Sequence, residues 1–392
     1  MTQGLLPAVA VGGGWRQHAV MVPSNRLFLL AVLAAQAAAQ TPTPLVEPKA
    51  PEIRAGTPVE SLSQEKHLRN VRQLTFEGQN AEAYWSHGGT KLILQRRTGS
   101  MPADQIYVLD LTSGKLEQVS TGTGRTTCSY FLQGDKRIVF ASTHHKGAEP
   151  PPLVKREGRG YYWDVHREYD IFVADADGKN LAQLTSEAGY DAEATVCPVS
   201  GAIVFTSVRD GDLELYTMEA DGSNVKRVTN RPGYDGGAFF SHDGSKLVFR
   251  SAFPKDEAEA KEDAKYLGQA LVRPSHMEIT TCKRDGSGFR QLTKNGHANF
   301  APYWLPDDKR LIFASNMLGM EEMARTKNHK AARNFDLFLI SEDGSGLEQV
   351  TFHQEFDSFP MFSPDGRHLV FASNRYGKVE GETNLFIAEW VD

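Results

Sequence analysis

The stretch from Val350 to Arg375 decides the fold. It holds a strand ending in Val350-Thr351, a polar loop, the segment Phe356-Asp357-Ser358-Phe359-Pro360, the turn Ser363-Pro364-Asp365-Gly366, and the run Leu369-Val370-Phe371-Ala372-Ser373-Asn374-Arg375. Short apolar runs bounded by Ser, Pro, Asp and Gly read as antiparallel strands joined by tight turns. The unit recurs on both sides of this stretch. Its Leu/Val-Thr ending returns at Leu74-Thr75, Leu184-Thr185, Val228-Thr229 and Leu292-Thr293, with Val119-Ser120 as a variant. The strand after the turn returns at Ile93-Leu94, Val139-Phe140, Val204-Phe205, Val248-Phe249 and Ile312-Phe313.

Six copies of four short strands can be counted. Asp177-Gly178, Asp221-Gly222, Asp285-Gly286 and Asp343-Gly344 are the Asp-Gly pairs that two-residue hairpins prefer. Ser241-His242-Asp243-Gly244 and Ser363-Pro364-Asp365-Gly366 form a second set, in which Asp accepts backbone hydrogen bonds and Gly takes the positive φ. A four-stranded antiparallel sheet repeated about an axis is a propeller blade. Each blade is apolar on both faces, so it is stable only between neighbours. The expected fold is therefore all-β: a six-bladed β-propeller over residues 67–392. The last copy stops at its third strand, Asn384 to Val391, while an orphan outer strand, Leu68 to Thr75, precedes the first. Pairing the two seals the ring and removes an exposed edge.

The unit Arg72-Gln73-Leu74-Thr75, the Ser363–Arg375 stretch, and Leu215-Tyr216 followed by Asp221-Gly222 together resemble the TolB-like propeller repeat of the PD40/WD40-like family. The resemblance extends from about residue 68 to the C-terminus and implies a protein of the cell envelope. TolB itself carries an α/β domain before its propeller, and only a short Pro-rich tether precedes the first strand here. The segments Leu271-Val272-Arg273-Pro274 and Phe356–Pro360 more closely resemble TolB-like proteins not assigned to the Tol–Pal machine.

The N-terminus fits export. Arg26, the apolar run Leu27 to Ala35 and the small residues Ala37-Ala38-Ala39 have the order of a signal peptide, within a region spanning residues 1–40. Met21 stands where an ordinary signal peptide would begin. Prolines at 42, 44, 48, 51 and 58 make residues 41–66 an extended tether. The expected location is periplasmic or secreted, with no transmembrane segment after signal cleavage. A formal charge of −6 argues against a nucleic-acid partner. Cys128, Cys197 and Cys282 have neither disulfide nor zinc spacing and read as small buried strand residues.

Aligning the copies brings Asn80, Thr126, Asp191, Asp235, Asn299 and Asp357 into register before each innermost strand. These positions are expected at one mouth of the central channel, where they would bind a cation or a hydroxyl-rich ligand, with Glu193 and Glu82 two positions further on. The alternative is that each side chain pins its own loop or the next blade. Insertions at about Thr143–Glu168, Phe253–Ser275 and Leu318–Arg333 fall on the same face, and long insertions crowded on one face mark a functional surface. The first offers His144, His145, and Tyr161-Tyr162-Trp163 between Arg159 and His166; Arg273 lies in the second. Glu257 to Leu271 reads as a surface helix, and Met320–Ala332 likewise. No metal-ligand spacing, nucleophile elbow, P-loop or dinucleotide fingerprint occurs. No cofactor or metal is expected. The function expected is non-catalytic: a monomeric scaffold docking an envelope protein or polymer on the insert face. The alternative is a propeller-type carbohydrate-active or hydrolytic enzyme using mouth carboxylates and histidines.

Overall fold

The structure, a computed structural model, describes residues 53–156, 161–354 and 356–392. The signal region, the first part of the tether and Arg159 lie outside the described residues. Apart from a two-stranded sheet between two of the insertions, the described strands form six antiparallel sheets, five of four strands and one of five. Their innermost strands are Gln79–Trp85, Thr126–Phe131, Asp191–Val196, Asp235–Phe240, Asn299–Trp304 and Asp357–Phe362, numbered here as blades 1 to 6. Each blade touches the next, and blade 6 touches blade 1, so the ring is closed. The chain is a six-bladed β-propeller. Among the described residues no helix is long and apolar enough to cross a membrane.

Closure follows the expected route. Leu68–Gln73 runs antiparallel to Asn384–Trp390, with Arg72 opposite Ile387 and Gln73 opposite Phe386. The propeller also begins earlier than the sequence suggests. Thr57 and Pro58 add a fifth strand to blade 6 opposite Gln73 and Arg72, and the amides of Arg54 and Ala55 donate to the carbonyl of Leu111 in blade 1. Part of the proline-rich segment is thus a clasp over the seam, because proline is acceptable on a sheet edge that needs no further donor.

The core lies between blades. Phe140, Phe205, Phe249, Phe313 and Phe371, one from each second strand of blades 2 to 6, are fully buried. The recurrent Leu/Val-Thr ending has a separate task. In every blade its hydroxyl accepts an amide near the start of the third strand: Ile171 to Thr185, Leu215 to Thr229, Ile279 to Thr293, Leu337 to Thr351 and Leu385 to Thr75, all at 2.8–2.9 Å. Ser120 does the same for Ile106. A buried amide left unpaired costs about 1–3 kcal/mol, so a hydroxyl is required there.

Each inner strand carries a β-bulge at one place. The ladder slips between Ala81 and Tyr84, Thr127 and Tyr130, Ala192 and Thr195, Gly236 and Phe239, Phe300 and Tyr303, and Ser358 and Met361. The residue at each slip, Glu82, Cys128, Glu193, Gly237, Ala301 or Phe359, has φ between 44° and 61°. A bulge re-aims its side chain. Here it separates the channel into two chambers.

The insertions cover the face at the start of the inner strands. Glu257–Gly268 forms helix α1, capped by Asp256 accepting the amide of Glu259. Met317–Thr326 forms α2. Trp163–Asp164 of the blade-2 insertion pairs with Leu271–Val272 of the blade-4 insertion. These two insertions therefore meet over blade 3, whose own loop is short.

Candidate functional site

The ring positions are buried, not open. Asn80, Thr126, Asp191, Asp235, Asn299 and Asp357 are at most 1% exposed. Each is engaged within or between blades. Asn80 donates to the carbonyls of Glu77 and Thr383 and accepts Arg96. Thr126 donates to the Asp104 carbonyl. Both oxygens of Asp191 accept Arg209, at 3.2 and 3.0 Å. Asp235 accepts Ser251 at 2.5 Å and Arg231 at 3.4 Å. Asn299 donates to the carbonyls of Met277 and His297 and to Glu278. Asp357 accepts Arg375 at 2.9 Å, and Arg375 also holds both oxygens of Glu65 on the closing segment. Position in the repeat places these groups one layer behind the channel wall.

That layer holds protons unusually well. Burial and the carboxylate of Asp191 raise Asp170 to about 6. Burial raises Asp235 to about 6 against the opposing effect of Ser251. Asp336 is pushed up to about 8 by burial and by the carboxylates of Asp357 and Glu65. Carboxyls crowded in one dry shell cannot all ionise.

The channel itself is reached from the bulge. Glu193 accepts Tyr234 through both carboxylate oxygens, at 3.1 and 2.8 Å, the amide of Gly237 at 3.0 Å and Thr206 Oγ1 at 2.7 Å. Arg250 completes the cluster by pairing with Glu193. Their side chains are only 11% and 12% exposed, so the pair is held nearly dry at the channel wall. Burial works against the charge of Arg250, yet the Glu193 carboxylate holds the guanidinium protonated more firmly than usual. Glu82 stands across from them. Burial raises its carboxyl, hydrogen bonding to Cys128 opposes this, and Glu193 raises it further. The Cys128 thiol is pushed well up by burial and by Glu82 and is not nucleophilic.

Two glycines make this possible. Arg250 sits opposite Gly236 on the neighbouring strand. A β-carbon on Gly237 would overlap the Arg250 guanidinium, and one on Gly236 would meet the Tyr234 hydroxyl and Glu193. Gly236-Gly237 therefore clears the wall of blade 4 so that its second strand can send a cation to the axis. At this register position the other blades carry at least one side chain beyond alanine, a difference that the alignment of the ring positions did not use.

The insert-face residues divide. Trp163 lies over Arg250, with the guanidinium carbon 5.0 Å from the ring centroid, and packs on Phe300 at 4.9 Å. Its indole nitrogen donates to the Tyr161 hydroxyl at 3.0 Å. Phe300 continues to Phe335, Phe356 and Phe359 through successive ring contacts of 5.1, 5.9 and 6.3 Å. An aromatic shelf thus runs from the blade-2 insertion to blade 6, with Tyr161 exposed at its end. Tyr162 and Arg273 serve α1 instead. Tyr162 donates to Tyr266 at 3.3 Å, and Arg273 pairs with Glu262 and Asp263. His144 bonds Ser142 at 2.8 Å and packs at a tilt against Phe172, with ring centroids 4.5 Å apart, His145 lies 2.8 Å from Asp170, and His166 is buried beside Tyr169. Burial lowers the pKa of all three imidazoles. They brace the loop behind the shelf. Among the described residues no group of three His, Cys, Asp or Glu is arranged to hold a metal ion.

Residues 164–264 match the TolB beta propeller domain. The chain thus resembles the TolB-like β-propellers, in sequence over that segment and in fold over the six blades. It is 27% identical over 135 residues to a TolB homolog of Chlorobium luteolum, a match covering 27% of this chain and 30% of that protein. The match therefore spans under a third of the relative's length. Among solved structures it is similar to a protein described as TolB from Agrobacterium tumefaciens, with a TM-score of 0.52 and 16% identity over 80% of this chain and 91% of that one. It is also similar to a gluconolactonase from Xanthomonas campestris, with a TM-score of 0.53 and 14% identity over 88% and 99%. At such identities the likeness concerns the fold. A TolB-like propeller and a propeller enzyme share one scaffold, and the site has to decide between them.

Proposed function

We propose that this propeller is a binding module of the cell envelope, exported by its N-terminal segment, whose insert face docks a protein partner or an envelope polymer. The observation that carries the reading is the shelf of Trp163, Phe300, Phe335, Phe356 and Phe359 ending at exposed Tyr161. Aromatic side chains with an exposed rim supply contact area at low conformational cost. Below the shelf the polar groups are committed to one another, since Glu193 is saturated by Arg250, Tyr234, Thr206 and the Gly237 amide. A nucleophile or general base needs a free lone pair aimed at substrate, and Glu193 offers none.

The test is capture of partners from envelope extract by the full chain, compared with Tyr161→Ala combined with Trp163→Ala. The reading expects stoichiometric capture that the double variant weakens at least about tenfold, the scale of losing two aromatic anchors. Equal capture by both proteins would refute it. A second reading, an enzyme acting on a carbohydrate, rests on Glu82, whose carboxyl, raised by burial and by nearby Glu193, would suit a proton donor. Glu82→Gln separates the two: a binder keeps its partner, whereas an enzyme loses turnover while retaining ligand.

A further inference from the structure

The blade junctions repeat one contact, and the repeat exposes a chemistry that differs among them. Between blades 5 and 6 the Asp357 amide donates to the Phe335 carbonyl at 2.8 Å, which sets Asp357 beside Asp336 at the start of the third strand of blade 5. The amides of Asn80, Asp191 and Asp235 make the same bond at their own junctions. Where a side chain at this register owns an N–H, the two neighbours bond directly: Asn80 donates to Asn384 at 3.3 Å and Asn299 to Glu278 at 3.2 Å. Three junctions instead set acid against acid, as Asp170 with Asp191, Glu214 with Asp235, and Asp336 with Asp357.

In the first of these, Arg209 occupies both oxygens of Asp191. In the other two, one oxygen on each acid has no hydrogen-bond partner: Glu214 Oε2 with Asp235 Oδ2, and Asp336 Oδ1 with Asp357 Oδ1. All four residues are at most 2% exposed. A buried acceptor left unpaired is costly. A single proton answers for two such oxygens, because a protonated carboxyl donates while an ionised one accepts. It would do at these junctions what the amide hydrogens of Asn80 and Asn299 do at theirs.

Charge separates the two junctions. Arg227 reaches Glu214 and Arg231 reaches Asp235, a cation for each acid. Between blades 5 and 6 one guanidinium stands among three carboxylates. Arg375 holds both oxygens of Glu65, at 3.1 and 2.9 Å, and Asp357 Oδ2 at 2.9 Å. The side chains of Arg375, Glu65 and Asp357 are only 4%, 0% and 0% exposed, so solvent screens little. Asp336 Oδ2 accepts the neutral Asn334 amide at 3.3 Å. The cations of neighbouring elements lie on other acids, Lys66 and His67 on Glu348 and Arg333 on Glu380. His353, in the loop after Thr351, is the further titratable group on the blade-5 side.

Glu65 lies just before the closing strand Leu68–Gln73 and is fastened by Arg375 and by the Phe352 amide at 3.3 Å. We propose that Asp336 and Asp357 share one proton, and that this proton latches the closing segment onto blade 6 through Arg375 and Glu65. Without it Asp336 becomes a third ionised carboxylate beside one guanidinium, and Glu65, on a connecting segment outside any strand, is the partner that yields. The direction of the Asp336 shift agrees. Its folded value is raised from 3.8 to about 8, so the latch is complete below about 4 and is given up as pH rises toward 8. The latch does not depend on what the insert face binds.

Amide hydrogen exchange of the full chain, corrected for the intrinsic rate at each pH, reads the latch. The amides of Val59 and Val391 bond the carbonyls of Val71 and His67 and so report on the closing segment. In the wild type their protection should fall by up to about tenfold per pH unit between about pH 6 and 8, the slope of one released proton. They should exchange ahead of Leu215, buried in blade 3. Asp336→Asn supplies a permanent N–H, as Asn299 does for Glu278, and should hold that protection level. In infrared spectra the wild type should keep a carboxylic-acid stretch above about pH 7 that Asp336→Asn lacks. Four results would each overturn the proposal: a flat wild-type profile, the same decline in Asp336→Asn, loss of protection at Leu215 in step with Val59, or no carboxylic-acid stretch in the wild type above that pH. The wild-type measurements decide even where the variant does not fold.

Discussion

The two chambers of the channel are built from the same six strands, yet they differ as a salt differs from an oil. Above the bulge, Glu82, Glu193 and Arg250 form a nearly dry ionic cluster under an aromatic shelf. Below it, Tyr84, Tyr130, Phe239 and Tyr303 close the axis with rings. The bulge makes the difference. By inserting one residue at φ near 50° in every inner strand, it turns the positions before it and after it toward different neighbours. A repeat can thus carry two chemistries on one face of one strand.

The contrast predicts unequal sensitivity. Arg250→Met should have the largest effect, because Glu193 would remain buried without its cation; breaking such a pair costs about 3–5 kcal/mol, read as a lower urea midpoint. Gly237→Ala should come next. Its β-carbon overlaps the guanidinium at a φ of 61°, so a loss of about 2–3 kcal/mol is expected from strain and displacement together. If Gly237→Ala melts like the wild type, Arg250 does not need that gap, and the assignment of the upper chamber fails.

A pH series sharpens the comparison, since the proton-holding carboxyls lie in the layer behind the channel and not in the lower chamber. Asp336 is raised from 3.8 to about 8, so the folded state binds its proton more tightly than the unfolded chain does. Its contribution to stability is complete below about 4 and is lost as pH rises toward 8. Asp170 and Asp235, at about 6, act in the same sense over a lower window. The melting temperature should therefore fall between pH 5 and 8.5, and Asp336→Asn should flatten the upper part of that decline. An unchanged slope in Asp336→Asn would show that the shell ionises without cost. The smallest effect belongs to the plug: Tyr303→Phe removes one hydrogen bond to Tyr130 and should cost about 1 kcal/mol.

Much of the architecture was legible. The Leu/Val-Thr endings, the Asp-Gly turns and the unpaired Leu68–Thr75 segment led to six blades and to the seam that Arg72 and Ile387 form. The three insertions fall where composition put them; α1 starts at Glu257 as expected but stops at Gly268 and not Leu271, and α2 covers Met317–Thr326 where Met320–Ala332 was expected. The site was read less well. Asn80, Asp191, Asp235, Asn299 and Asp357 were found in register, but alignment fixes a position along a strand and not the depth of a side chain. Glu193 and Glu82 were noticed as neighbours of that ring, whereas their partners Arg250 and Tyr234 were not. Arg250 comes from a second strand and Tyr234 precedes an inner one, so no single repeat position contains the cluster. Among the insert residues, Trp163 and Tyr161 take part in the shelf, while Tyr162, Arg273 and the three histidines support the loops.

The sequence by itself determined the number of blades, their order and the closing pair, because strand period and turn chemistry are local and repeat. Only the tertiary structure decided which polar groups meet at the axis. That meeting depends on a bulge costing one residue of register and on two glycines that leave room for a guanidinium. Both act through space between blades, where neighbours along the chain carry no information.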